Sequence, residues 1–263
     1  MAWRVGHSLW AVGGGVVIVA LAALVGVWFF VLRSPGTRVD LHQALTLYRR
    51  DQRAPVGDDA ALPETGVYRY RTTGGEQLSM ADIHRSFPPW SDIIVTAAQG
   101  CATMTWEPLV QHTEGWTECP APAGGTQIVA TPSYEQIAGV ATTTEITCPP
   151  GMDFVPRHPR VGQRWQVDCH APSETVTFTG AVLGRADVRV GAVTVPALHL
   201  HVTLSFHGAE TGSNPNDLWV SAASGLILRQ TETTTLSQKT GPLGSISYGE
   251  QMTIRLASVT PDR

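Results

Sequence analysis

From Gly66 to the end of the chain apolar and polar residues alternate, and no stretch with helical spacing interrupts them. The runs "VYRYRTT", "DIIVTAA", "ATMTW", "TQIVAT", "TVTFTGAVLG", "LHLHVTLSF", "LILRQTETTT" and "QMTIRLASV" are set apart by clusters of Gly, Pro, Asn and Asp, the pattern of an antiparallel meander. In "LHLHVTLSFH", Leu198, Leu200, Val202, Leu204 and Phe206 fall on one strand face, while His199, His201, Thr203, Ser205 and His207 fall on the other. One face is therefore core or a greasy cavity, and the other is wet. The runs near 193–207, 226–238 and 246–258 are long, which predicts a mostly β fold built on a large curved antiparallel β-sheet, a half-barrel or open barrel, rather than a compact immunoglobulin-like sandwich. With 26 Gly and 18 Pro, and 43% hydrophobic against 15% charged residues, the chain suits a turn-rich β protein better than a disordered one.

A different segment precedes the strands. Leu9 to Leu32, "LWAVGGGVVIVALAALVGVWFFVL", carries no charge. As a helix it would reach about 36 Å, enough to cross a bilayer core of about 30 Å. Ala20-Leu21-Ala22 spells a signal-peptidase site, but the apolar run continues past it to Trp28, Phe29 and Phe30, an interfacial aromatic belt, so an uncleaved single-pass signal anchor is expected. No Cys precedes Cys101 to carry a lipid. Arg4 alone lies before the span while Arg33, Arg38, Arg49, Arg50 and Arg53 follow it, and that bias would hold the C-terminal side in the cytoplasm. The cysteines argue the other way. Cys101, Cys119, Cys148 and Cys169, even in number and without C-x-x-C spacing, read as two disulfides of an oxidising compartment. The expected layout is a cytoplasmic N-terminus (1–8), a transmembrane helix (9–32), a juxtamembrane helix and linker (33–63), and an extracytoplasmic all-β domain (64–263) on a cell membrane. In "VDLHQALTLYRR" Asp40 is an N-cap candidate, and Leu41, Ala44, Leu45 and Tyr48 recur at helical spacing.

Four cysteines allow three pairings. The strand, turn and return in "GCATMTWEPLVQHTEGWTECP" favour Cys101 with Cys119, and Cys148 with Cys169 follows across a Pro-rich loop. "LPETG" at Leu62–Gly66 has the spelling of a sortase signal, yet it runs straight into a strand instead of standing before a C-terminal apolar tail. It reads as the boundary between stalk and β domain, with Pro63 denying a helix to Leu62 and Gly66 letting the backbone bend.

Chemistry is sparse in the spelling. The best metal candidates are His199 and His201, side by side on one strand face with His207 beyond them; Asp168, His170 and Asp217 are conceivable further ligands by residue type alone. No G-x-S-x-G, H-E-x-x-H or phosphate-binding glycine loop occurs, and no spacing pairs two carboxylates, so no catalytic residues are assigned and no cofactor is expected. Residues 64–263 hold 12 basic side chains (11 Arg and Lys239) against 18 acidic ones, a balance of −6, which excludes a nucleic-acid footprint.

The combination of "LPETGVYRYRTTGGE", the "GC" strand with its "W..C", and "NDLWVSAASGLILRQTETT" resembles a group of uncharacterised actinobacterial single-pass envelope proteins over nearly the whole extramembrane chain. More remotely, "LW" followed by "GLILR" resembles lipoprotein-carrier half-barrels of the LolA and LppX type, in which a curved sheet wraps an apolar cavity. That likeness implies a membrane-anchored binding or carrier module for a lipid or other apolar envelope ligand. The alternatives are an envelope scaffold that binds another protein, and a zinc-dependent hydrolase centred on His199 and His201.

Overall fold

The computed structural model describes residues 36–51, 62–79, 83–122, 124–137, 140–150, 153–156, 158–239 and 244–263. The expected transmembrane helix lies outside them; among the described residues no helix is long and apolar enough to cross a membrane.

Among the described residues fourteen strands follow one helix: α1 (Leu41–Asp51), β1 (Gly66–Leu78), β2 (Ile83–Ser86), β3 (Trp90–Ala98), β4 (Cys101–Leu109), β5 (His112–Pro120), β6 (Gly125–Ile137), β7 (Val140–Thr147), β8 (Asp153–Pro156), β9 (Arg164–Ala171), β10 (Glu174–Val190), β11 (Val193–Gly208), β12 (Glu210–Ser221), β13 (Ile227–Lys239) and β14 (Ser245–Leu256). The meander is as the alternation predicts, with each long strand paired antiparallel to its neighbour in sequence. The expected open or half-barrel is corrected, because the sheet closes. β1 pairs β3 through Gly66–Arg71 and β14 through Tyr70–Leu78, so the first and last strands share a ladder and a ring of 12 strands forms, with β2 and β8 attached outside the ring order. At 13 residues β1 is long enough to serve both neighbours at staggered heights, the offset that barrel closure requires.

The ring is joined very unequally. β7 and β9 share a single residue pair, Thr147↔His170. Beside it Cys148 and Cys169 form a disulfide, and Cys101–Cys119 links β4 to β5, so both pairings match the sequence reading.

The two poles differ. At the pole where β1 begins and β14 ends, inward residues such as Tyr70, Ile93, Met104, Leu198, Leu200 and Ile254 fill the lumen as a packed core. The Tyr70 hydroxyl donates across that core to the Ile227 carbonyl at 2.7 Å. The opposite pole carries the β4–β5, β6–β7, β9–β10, β11–β12 and β13–β14 hairpin ends. The outward positions of β13 and β14 are Arg229, Thr231, Thr233, Gln251, Thr253 and Arg255, so this wall lacks the apolar band that lipid-facing barrels present.

Helix α1 opens with a reciprocal cap: Gln43 N donates to Asp40 Oδ1 at 2.9 Å and Asp40 N to Gln43 Oε1 at 3.0 Å. Its buried Ala44 and Tyr48 pack on Val67 and Ile94 of the barrel wall. Just before it, Arg38 bridges to Leu109 and Val110 N donates to the Thr37 carbonyl at 2.7 Å, which fastens residues 36–39 to the β4–β5 turn. "LPETG" is built into the barrel base. Leu62 is core, the Glu64 carbonyl accepts from the Tyr68 hydroxyl at 3.0 Å, and Arg263 pairs with Glu64 at 2.9 Å. Gly66 holds φ +149°, and a Cβ there would meet Pro261 Cβ at 2.6 Å, so the bend the sequence assigns to this glycine has a steric cause.

Candidate functional site

Above the packed core the inward positions turn polar while the alternation continues. Along β14 they run Leu256, Ile254, Met252, Glu250, Tyr248; along β13, Leu228, Gln230, Glu232, Thr234; along β12, Val220, Leu218, Asn216, Asn214. Registration then gathers carboxylates that are far apart in sequence, since Glu76 lies directly opposite Glu250, which in turn faces Thr234, two residues from Glu232. β5 supplies His112 and Glu114 to the same level.

This polar belt borders a cavity of about 530 Å³. Its lining is mixed: Ile128, Ile146, Phe178, Leu204, Phe206 and Leu218 give it apolar surface, and His112, Glu114, Glu232, Asn214, Asn216 and Gln230 give it polar surface. The lining reaches the hairpin pole at Glu135, Glu174, Glu210, Gln238 and Ile246, which makes that pole the mouth.

The belt is hydrogen-bonded in a chain. Arg85 of β2 donates through Nη1 to Glu76 Oε1 at 2.8 Å and through Nη2 to the Gln136 carbonyl at 2.8 Å. Glu76 Oε2 lies 2.8 Å from His112 Nδ1. The His112 ring is wedged between Phe87 and Trp106, each 5.6 Å away by centroid. Tyr248 donates to Glu250 Oε2 at 2.6 Å. Asn214 donates to Glu232 and Thr234, Asn216 to Asn214, and Gln230 to Asn216 and Glu232. In the chain of bonds just described, His112 Nε2, Glu250 Oε1 and Arg85 Nε are buried and have no hydrogen-bond partner among the described residues.

Charge is concentrated here well beyond what two cations can balance. Burial opposes ionisation of Glu76, but its bonds to His112 and Arg85 outweigh that and hold its carboxyl below the ordinary range. Burial alone would depress His112, yet Glu250, Glu114, Glu135 and Glu76 around it push its pKa well above the usual value. Glu250 is pushed well up by burial, and then by Glu114 and Glu232. Glu232 rises to about 7 for the same reasons, burial first and Glu114 second. Glu118, fully buried further down β5 and bonded to Trp116 Nε1 at 3.2 Å, is pushed by burial to about 8. The protein therefore keeps several carboxyl protons that water would remove.

The sequence-assigned histidines are elsewhere. His199 and His201 stand on the outer face of β11, where Asp217 Oδ1 lies 3.2 Å from His199 Nε2 and 3.2 Å from His201 Nδ1. His199 stacks on Trp219 at 4.2 Å, with Arg229 over the far side of the indole. Asp217, named by residue type alone, does join them. Asp168 instead accepts from Thr177 at 2.7 Å, His170 lies 3.4 Å from the Thr175 hydroxyl, and His207 is exposed at the strand end. Among the described residues the groups compact enough to hold a metal ion are Glu76, His112, Glu250 and Glu114, Glu232, Glu250, and His199 belongs to neither. Short spacings along the chain do not reveal the belt. Strand parity could have found it, since Glu232 shares the parity of Leu228, and Glu250 that of Ile254 and Met252.

No known protein family and no curated protein matches the chain. Among solved structures it is similar to the hypothetical lipoprotein YmcC from Escherichia coli (K12), at 12% identity and a TM-score of 0.35, over 86% of this chain and 99% of that one. The resemblances to actinobacterial envelope proteins and to LolA- or LppX-type carriers have no counterpart in these matches.

Proposed function

We propose that this domain is an extracytoplasmic binding module that holds a small, largely apolar ligand inside its barrel. The observation that carries the reading is the cavity of about 530 Å³, which lies within the usual range for ligand pockets of about 300–1,000 Å³. Phe178, Leu204, Phe206 and Leu218 offer it an apolar wall, and the mouth pole offers a way in. The two disulfides support an oxidising compartment. An apolar envelope molecule such as a lipid fits the greasy wall, and a membrane anchor at residues 9–32 would place the domain beside a supply of it. Ring closure leaves few strand edges free for pairing with another chain, which weighs against the scaffold alternative.

Native mass spectrometry of the full chain, purified in detergent from its own envelope, tests this. The expected result is a stoichiometric small molecule that is lost in a Phe206→Arg variant. A stoichiometric protein partner with no extractable small molecule would replace this reading with the scaffold.

A further inference from the structure

We propose that the acidic side of the barrel interior is a divalent metal site, with His112 Nε2 and the carboxylates of Glu114, Glu232 and Glu250 as ligands and Glu76 and Arg85 as positioning residues. The proposal does not depend on an apolar ligand, because the ion would bind whether or not the greasy wall is covered.

Geometry carries it. One carboxylate oxygen each from Glu114, Glu232 and Glu250 lie within 4.8 Å of one another. His112 Nε2 points at the same group, 3.5 Å from Glu114 Oε1 and 3.9 Å from Glu250 Oε2. Atoms bound to one ion at about 2.1 Å stand roughly 3 to 4.3 Å apart, and both His112 Nε2 distances fall in that range. The imidazole is presented as metal-bound histidines are. Its Nδ1 faces a buried carboxylate, Glu76, which Arg85 fixes from behind, and its Nε2 has no hydrogen-bond partner among the described residues. Glu250 Oε1 is likewise buried and unpartnered. Leaving two such atoms unsatisfied is costly, and one cation in their midst would engage both.

The shape of the pocket selects the kind of cation. Glu114 and Glu232 line the cavity, whereas Glu250 is buried and is not part of the lining. A bare ion reaches Glu250, whereas an ammonium group on a carbon skeleton would have to bring that skeleton past the lining. One imidazole among three carboxylates suits Mn²⁺, Fe²⁺ or Zn²⁺ better than Ca²⁺, which takes an all-oxygen shell.

The test is a titration of Mn²⁺ alone into the full chain in detergent, followed by loss of the free ion's electron paramagnetic resonance signal. One equivalent should bind and raise the melting temperature. Glu232→Gln should weaken binding at least about 100-fold, and Glu76→Gln, which touches no ion, by about 10- to 100-fold. Glu114→Gln, at the half-exposed rim, guards against misfolding: it should melt with the parent in chelator and still lose affinity. Binding below about a tenth of an equivalent at tenfold excess would overturn the site. So would Mn²⁺ binding that survives Glu114→Gln and Glu232→Gln but is lost in His199→Ala with His201→Ala. Neither outcome would bear on a small molecule recovered in the native spectrum.

Discussion

The barrel is closed at one junction by a ladder and at another by a bond. β1 and β14 meet through nine consecutive residue pairs, Tyr70↔Leu256 to Leu78↔Tyr248. β7 and β9 meet through one pair, and the Cys148–Cys169 bridge stands beside it. Loop entropy alone does not distinguish this bridge from Cys101–Cys119, since the sequence separations are 21 and 18. Their settings do. Cys101 and Cys119 flank strands that already pair from Ala102↔Glu118 to Trp106↔Glu114, whereas Cys148 and Cys169 are where the sheet has almost no other connection. A crosslink of similar thermodynamic worth can thus be redundant in one place and hold a wall shut in another.

The ladder junction should break hardest. Gly74 of β1 has φ +126°, and a Cβ there would sit 1.9 Å from the Gln251 carbonyl oxygen of β14. Gly74→Ala should cost more than about 3 kcal/mol, read by urea unfolding, because it combines backbone strain with a clash against the ladder. Next comes Cys148→Ser with Cys169→Ser, at about 3 kcal/mol. Hydrogen exchange should show the loss confined first to 140–148 and 164–171. Cys101→Ser with Cys119→Ser should cost a similar total, yet leave the β4–β5 amides protected until global unfolding. Equal local exchange in the two double variants would erase the contrast between the bridges.

A smaller effect lies on the β3 side of β1. Asp92 is paired in register with Arg69, yet burial pushes its carboxyl up to about 6. Below about pH 4 both folded and unfolded chains keep the proton; between about 4 and 6 only the fold does, so stability falls as pH rises through that window and is level above it. Asp92→Asn should remove a pH-dependent loss of about 1–2 kcal/mol, discounted for partial solvation, which melts at pH 4 and pH 7 would show. Smallest of all, Arg263→Ala releases an exposed pair with Glu64 and should cost under about 1 kcal/mol.

Much of the wall was legible in the chain. Period-two alternation located the long strands, the face shared by Leu198, Leu200 and Val202 is indeed core, and the Asp40 cap and the Ala44–Tyr48 stripe of α1 follow their spacing. Closure was not legible, because whether β1 meets β14 depends on stagger around the whole ring, a sum over hairpins that no local pattern encodes. The polar belt was hidden for a related reason. Glu76 and Glu250 are 174 positions apart and become neighbours only through that closure. His199 and His201 stand out because adjacency along one strand is visible in a sequence, while adjacency across a lumen is not.

The fastening of residues 36–39 to the β4–β5 turn has a consequence for how the molecule would face its surroundings. That turn belongs to the mouth pole, and Val110 and Gln111 hold Thr37 there. At no more than about 3.5 Å per residue, the stretch from Leu32 to Gly36 can reach only about 14 Å. Were the apolar run of residues 9–32 seated in a bilayer, this short leash would turn the opening of the barrel toward the headgroups and its packed base toward the far side of the envelope.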